Sequence, residues 1–81
     1  MTKQEVFEGL KEIIMTLRPA TDLSTVTFDT ELVKDLGIDS LFMILLSLAV
    51  EEKFQMRFPN DQAAPVTVGE VCDAVLKYKN S

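Results

Sequence analysis

The residues with the makings of chemistry are few, and they crowd one short stretch. Asp35 to Leu41 reads DLGIDSL, so a glycine, an aspartate and a serine stand directly before Leu41 to Val50, where only Ser47 is not apolar. The chain has no histidine and one cysteine, Cys72. Ser–His and Cys–His nucleophilic pairs and the usual zinc ligand sets are therefore ruled out. The carboxylate pairs Asp35/Asp39 and Glu51/Glu52 read as solvated groups at helix ends. Gly9, Gly37 and Gly69 lie too far apart for a phosphate-cradling loop, and no calcium-type ladder of Asp and Asn is present. Autonomous catalysis is not expected. Ser40 is left with two readings. It is a plain helix-start residue beside a capping Asp39, or it is an acceptor. A serine without an activating base cannot attack a substrate, but another enzyme can place a phosphodiester on it. Gly37 permits an unusual backbone angle and a close approach. The first helical turn, with its free N–H groups and dipole, favours an anion.

The elements that must position this stretch are helical. Thr2-Lys3-Gln4-Glu5 is a capping box, and Val6, Leu10, Ile13, Ile14 and Leu17 then recur at helical spacing until Pro19 stops the helix. From Arg18 to Ile38 no period is sustained. Leu23, Val26, Phe28 and Leu32 are spaced among polar residues, as in a loop pinned to a core. A loop so long in a small domain is usually functional. Asp39 is a good N-cap for a helix from Ser40 to about Lys53. RFPND breaks the chain, and residues 60–65 have room for at most a short turn of helix before Pro65. A second capping box, Thr67-Val68-Gly69-Glu70, opens a last helix that buries Val68, Val71, Cys72 and Val75. The expected fold is all-α, a small four-helix bundle of three main helices and one short helix. A long loop separates helices one and two.

Eighty-one residues, 47% of them hydrophobic, suit one domain over residues 1–81 with a single modest core. A lone cysteine fits a reducing compartment. The charged start MTKQEVFEGLKE does not resemble a signal peptide, and the apolar run at 41–50 is too short to span a bilayer. The chain is therefore read as cytoplasmic and monomeric, without stable membrane insertion. The net charge of −5 is uneven: across residues 19–52, Lys34 alone stands against seven acidic side chains. That field disfavours nucleic acid and favours basic protein partners.

With these elements in place, DLGIDSL resembles the phosphopantetheine attachment motif of acyl carrier proteins. The likeness covers essentially the whole chain: the opening amphipathic helix, the long loop, VEEKF ending at Phe54, Phe58-Pro59, and the last helix opening VTVGEV. DSL alone would carry no weight. The resemblance implies that Ser40 bears a covalent phosphopantetheine arm, added by a phosphopantetheinyl transferase. The arm's thiol would hold acyl groups as thioesters, and Cys72 would be a small buried hydrophobe. Gly37, Asp39 and Leu41 would flank the attachment point, with Asp39 serving recognition and capping. The second helix would dock acyl-transferring and condensing enzymes of a fatty-acid, polyketide or other specialised acyl pathway. The family normally docks through acidic residues there. This chain departs from that pattern, with Phe42 and Leu45 where acids are common, and it keeps Glu51 and Glu52. Met43, Leu46, Val50 and Phe54 form one stripe of the helix, and Leu41, Phe42, Leu45, Leu48 and Glu52 the other. One stripe suffices for the core, so the second is expected at the surface. Phe42, Leu45, Leu48, Glu51 and Glu52 are the expected partner-binding residues. Two alternatives stay open. One is a peptidyl or aminoacyl carrier. The other is a helical interaction module without a prosthetic group, against which the intact Ser40 and Gly37 argue.

Overall fold

A computed structural model of the chain describes residues 1–59 and 64–79. Helix α1 spans Lys3–Leu17. The Thr2 hydroxyl oxygen accepts the Glu5 N–H at 3.1 Å, and Glu5 accepts the Thr2 N–H at 2.8 Å. Two of the N–H groups that every helix start leaves free are thereby satisfied. The Thr2 backbone N–H first, and the Thr2 hydroxyl after it, hold the Glu5 carboxyl below its usual range. Val6, Phe7, Leu10, Ile13 and Ile14 face inward. Leu17, which belongs to the same sequence stripe, is 42% exposed because it lies on the last turn. Pro19 disfavours helical backbone at the residue before it, and Arg18 leaves the helix with φ −138°.

The loop after α1 is packed like part of the core. Leu32 and Ile38 are as buried as any helical residue, and Leu23, Val26, Phe28 and Leu36 pack against the core partly covered. The loop is also tied to the start of the last helix. Leu32 N–H donates to the Val66 carbonyl at 2.9 Å, Val68 N–H to Thr30 at 2.9 Å, and Gly69 N–H to Phe28 at 2.7 Å. At Gly69 an added Cβ would stand 2.9 Å from the Phe28 carbonyl oxygen and 3.1 Å from the Phe28 Cβ. The obstacle is mainly backbone held by that hydrogen bond, so it cannot yield as a flexible side chain would. Gly69→Ala should therefore destabilise the protein by about 1–3 kcal/mol, even though alanine favours helix. The check is the midpoint of urea unfolding. An unchanged midpoint would mean that the loop lifts off this helix freely.

Helix α2 spans Ser40–Phe54 and helix α3 spans Val68–Lys79. α2 runs antiparallel to α1. At one end Arg18 meets Gly37 and Phe42. At the other, Gly9 lies against the Phe54 ring, and Lys53 pairs with Glu12 at 3.2 Å. Gln55 closes α2 in the left-handed conformation, φ 55°, and the Lys79 ammonium donates to the Phe54 carbonyl at 2.7 Å. That contact satisfies one of the carbonyls left free where a helix ends. α3 opens on its own capping box. Thr67 accepts the Glu70 N–H at 3.1 Å and Glu70 accepts the Thr67 N–H at 3.3 Å. Its Val68, Val71, Cys72 and Val75 complete the core with Leu46, Val50 and Phe54 of α2.

The described residues thus form an all-helical fold of three helices, with one isolated bridge between Glu31 and Thr67. The short fourth helix expected over residues 60–65 falls mostly outside the described residues. Ala64 and Pro65, which are described, are not helical.

Candidate functional site

The long loop delivers DLGIDSL to the start of α2 through local constraints. Glu31 N–H donates to the Asp35 carboxylate at 2.8 Å, and Gly37 N–H to the Val33 carbonyl at 3.0 Å. Gly37 has φ +68°, and nothing lies within 4 Å of where its Cβ would be. The backbone angle rather than crowding calls for glycine, and the space beside it is open. Ile38 is then driven into the core. Asp39 caps α2, its carboxylate accepting the Phe42 N–H at 2.8 Å and its carbonyl the Met43 N–H at 2.9 Å.

Ser40 is the first residue of α2 and is exposed. No described residue takes its hydroxyl as a hydrogen-bond partner, in contrast to Ser24, which donates to Asp22 at 2.7 Å, and Ser47, which donates to Ile44 at 2.9 Å. A free hydroxyl beside the remaining first-turn N–H groups is chemistry that accepts a phosphodiester and tolerates its charge. The residues present fit a phosphopantetheine group. Arg18, which the sequence marks only as a charge near the end of α1, reaches this turn. Its Nη1 donates to the Gly37 carbonyl at 3.3 Å, and its guanidinium lies 5.2 Å from the Phe42 ring centroid. No local sequence signal predicts that contact, since it spans the whole loop.

The outer face of α2 is apolar. Leu41, Ile44, Leu45 and Leu48 are 67%, 58%, 47% and 57% exposed, at the i, i+3, i+4, i+7 spacing of one helical stripe. Leu45, Leu48 and Glu52 of the expected docking residues therefore face outward. Phe42 is less exposed than the sequence stripe predicts. It is half-buried against the core edge beneath Arg18, because α1 ends beside it. Glu51 is half-buried too, its carboxylate accepting the Phe58 N–H at 2.8 Å. Ile44 takes the place in the stripe that sequence reading assigned to Phe42, and its offset of three from Leu41 was the available signal. On the flank of α2 an apolar cavity of about 250 Å³ is lined by Met43, Ile44, Ser47, Val50, Phe58 and Pro65 among others.

Cys72 is far from such exposure. Burial pushes its thiol up from 9.0 to about 11. The thiolate is the reactive form, so alkylation at pH 8 should run at least about 100-fold slower in the folded protein than in urea. The unfolded chain ionises first, so this group's share of stability is whole below pH 9 and lost as pH rises toward 11. Rapid labelling of folded protein by iodoacetamide would show that the thiol is reachable. Among the described residues no three His, Cys, Asp or Glu side chains gather to hold a metal ion, and no helix is long and apolar enough to cross a membrane.

The family model for the phosphopantetheine attachment site matches residues 8–75 of the chain. An acyl carrier protein of Helicobacter acinonychis is 43% identical over 67 residues, covering 82% of this chain and 85% of the relative. That of Guillardia theta is 39% identical over 67 residues, covering 83% and 82%. That of Acidothermus cellulolyticus is 36% identical over 78 residues, covering 93% and 89%.

Proposed function

The chain belongs to the acyl carrier protein family, and from that premise we propose that Ser40 is the residue on which it carries its phosphopantetheine arm. The observation that carries this reading is the exposed Ser40 hydroxyl, unclaimed by any described side chain, at the first position of a helix capped by Asp39. In the transferase reaction the Ser40 oxygen bonds to the phosphorus next to pantetheine in coenzyme A. The pyrophosphate link breaks, adenosine bisphosphate leaves, and the serine proton passes to a base on the transferase. The arm, once attached, supplies a terminal thiol that holds acyl groups as thioesters. Gly37 leaves open space for a partner to approach the serine, and Asp39 keeps the turn closed. The cavity beside Met43 and Ile44, about one turn along α2 from Ser40, is apolar enough to shelter part of an acyl chain.

The acidic loop and apolar α2 face support a carrier serving a specialised acyl pathway. Partners would be a phosphopantetheinyl transferase and acyl-transferring or condensing enzymes with apolar docking surfaces. A monomer in the cytoplasm, one domain long, is the form this reading assigns. The test is peptide mapping after incubation with coenzyme A and a broad-specificity transferase. One phosphopantetheine on the peptide holding Ser40 is the expected result. A group on any other residue, or none, overturns the assignment.

A further inference from the structure

Arg18 follows α1 and Ser40 opens α2, yet the fold brings Arg18 to the turn that leads into Ser40. One arginine side chain touches the residue three before the serine, through the Gly37 carbonyl at 3.3 Å, and the residue two after it, through the Phe42 ring at 5.2 Å. Gly37 takes one of the five N–H donors of the guanidinium. Among the described residues Arg18 has no carboxylate at ion-pair distance; the ion pairs found are those of Lys3, Lys11 and Lys53. Yet residues 19–52, the stretch that holds Ser40, carry seven acidic side chains against Lys34 alone. An anion added at Ser40 would enter the most acidic part of the chain, and repulsion there opposes it. Arg18 is a cation held at the turn that leads into Ser40, with donors to spare. Its planar fork matches the geometry of phosphate oxygens in a way that an ammonium does not.

We propose that Arg18 is the positioning residue for a phosphodiester on Ser40. It grips the turn through Gly37 and Phe42 and presents its remaining N–H groups to the phosphate oxygens. This rests on Ser40 as the attachment residue and goes beyond it. The two contacts already made belong to the unmodified protein, so a purely structural arginine would matter equally with and without the arm. A phosphate-gripping arginine matters more once the arm is on.

The experiment measures melting temperatures of wild type, Arg18→Gln and Arg18→Lys, each with and without phosphopantetheine, alongside the phosphorus resonance of the modified forms. Arg18→Gln should lower the melting temperature of the modified protein by about 2–5 °C more than that of the unmodified one, the range for an exposed charge contact in a domain this small. That extra loss should shrink at 1 M salt. The phosphorus resonance should move between wild type and Arg18→Gln, and Arg18→Lys should recover only part of both effects. Should the Gln variant fail to fold, Arg18→Lys against wild type reads the same resonance shift. Equal melting losses in the two forms with an unmoved resonance would overturn the role of Arg18 while leaving Ser40 standing. Wild type modified on another residue, seen by peptide mapping, would overturn both.

Discussion

Ser40→Ala should take up no phosphopantetheine while keeping the helical fold. The loss should be complete, because no other described serine offers the same group. Ser24 and Ser47 commit their hydroxyls to Asp22 and to the Ile44 carbonyl, and neither stands at a helix start. The fold should not notice the change. The Ser40 hydroxyl bonds to no described residue, the side chain is exposed, and Asp39 continues to cap α2. Alanine is the best helix former, and surface substitutions away from special features stay within about 0.5 kcal/mol. Intact mass after incubation with coenzyme A and a transferase reads the modification, and circular dichroism with urea unfolding reads the fold. Full modification of the alanine variant would place the arm elsewhere. A large stability loss would mean that the serine has a structural role the hydrogen bonds do not reveal.

Leu45→Asp should weaken binding to an acyl-transferring partner by about 10–100-fold, and raising the ionic strength should barely affect the wild type. Leu45 sits mid-stripe between Leu41 and Leu48 on the exposed face of α2. Burying a side chain of that kind against a partner is worth about 1.5–3 kcal/mol, and each 1.4 kcal/mol is tenfold in affinity. An aspartate there also carries an unpaired charge into the contact. Glu52→Ala removes an exposed rim charge, typically worth about 0.2–1 kcal/mol, so it should cost about fivefold at most. Going from 0.1 M to 1 M salt shortens the Debye length from about 10 Å to about 3 Å. Ion-pair docking would lose most of its steering over that range. Apolar docking should lose less than about threefold. Calorimetric titration of wild type and both variants at the two strengths separates these cases. A steep fall with salt, alongside an indifferent Leu45→Asp, would return recognition to the acidic rim. Apolar docking would also keep such a carrier from enzymes that read acidic helices, since each lacks what the other surface needs.

The apolar stripe chosen for that test shows where sequence reading stopped. Both capping boxes, Thr2 with Glu5 and Thr67 with Glu70, were legible because they are local: the partners lie three residues apart, and the helix start itself brings them together. The αL glycine before an N-cap aspartate was legible for the same reason, and so was the place of Ser40 at a helix start. The stripes on α1 and α3 showed which side of each helix is buried, since each has a polar face to contrast with.

On α2 that contrast fails. Leu41 to Val50 is apolar on every side except Ser47, so periodicity alone cannot say which stripe is covered. Only the approach of α1 and α3 decides it, burying Leu46, Val50 and Phe54 and leaving Leu41, Ile44, Leu45 and Leu48 outside. The same approach sets Arg18 over Phe42 and half-buries a residue that reads as exposed in the sequence. By itself the sequence determined the family, the three helix starts and the place of Ser40 at one of them, because short-range hydrogen bonding and backbone angles specify them. The tertiary structure decided which apolar face is left exposed and which cation stands beside the serine turn. Those depend on contacts across the loop from Arg18 to Gly37, and chain spacing carries no information about contacts that distant in sequence.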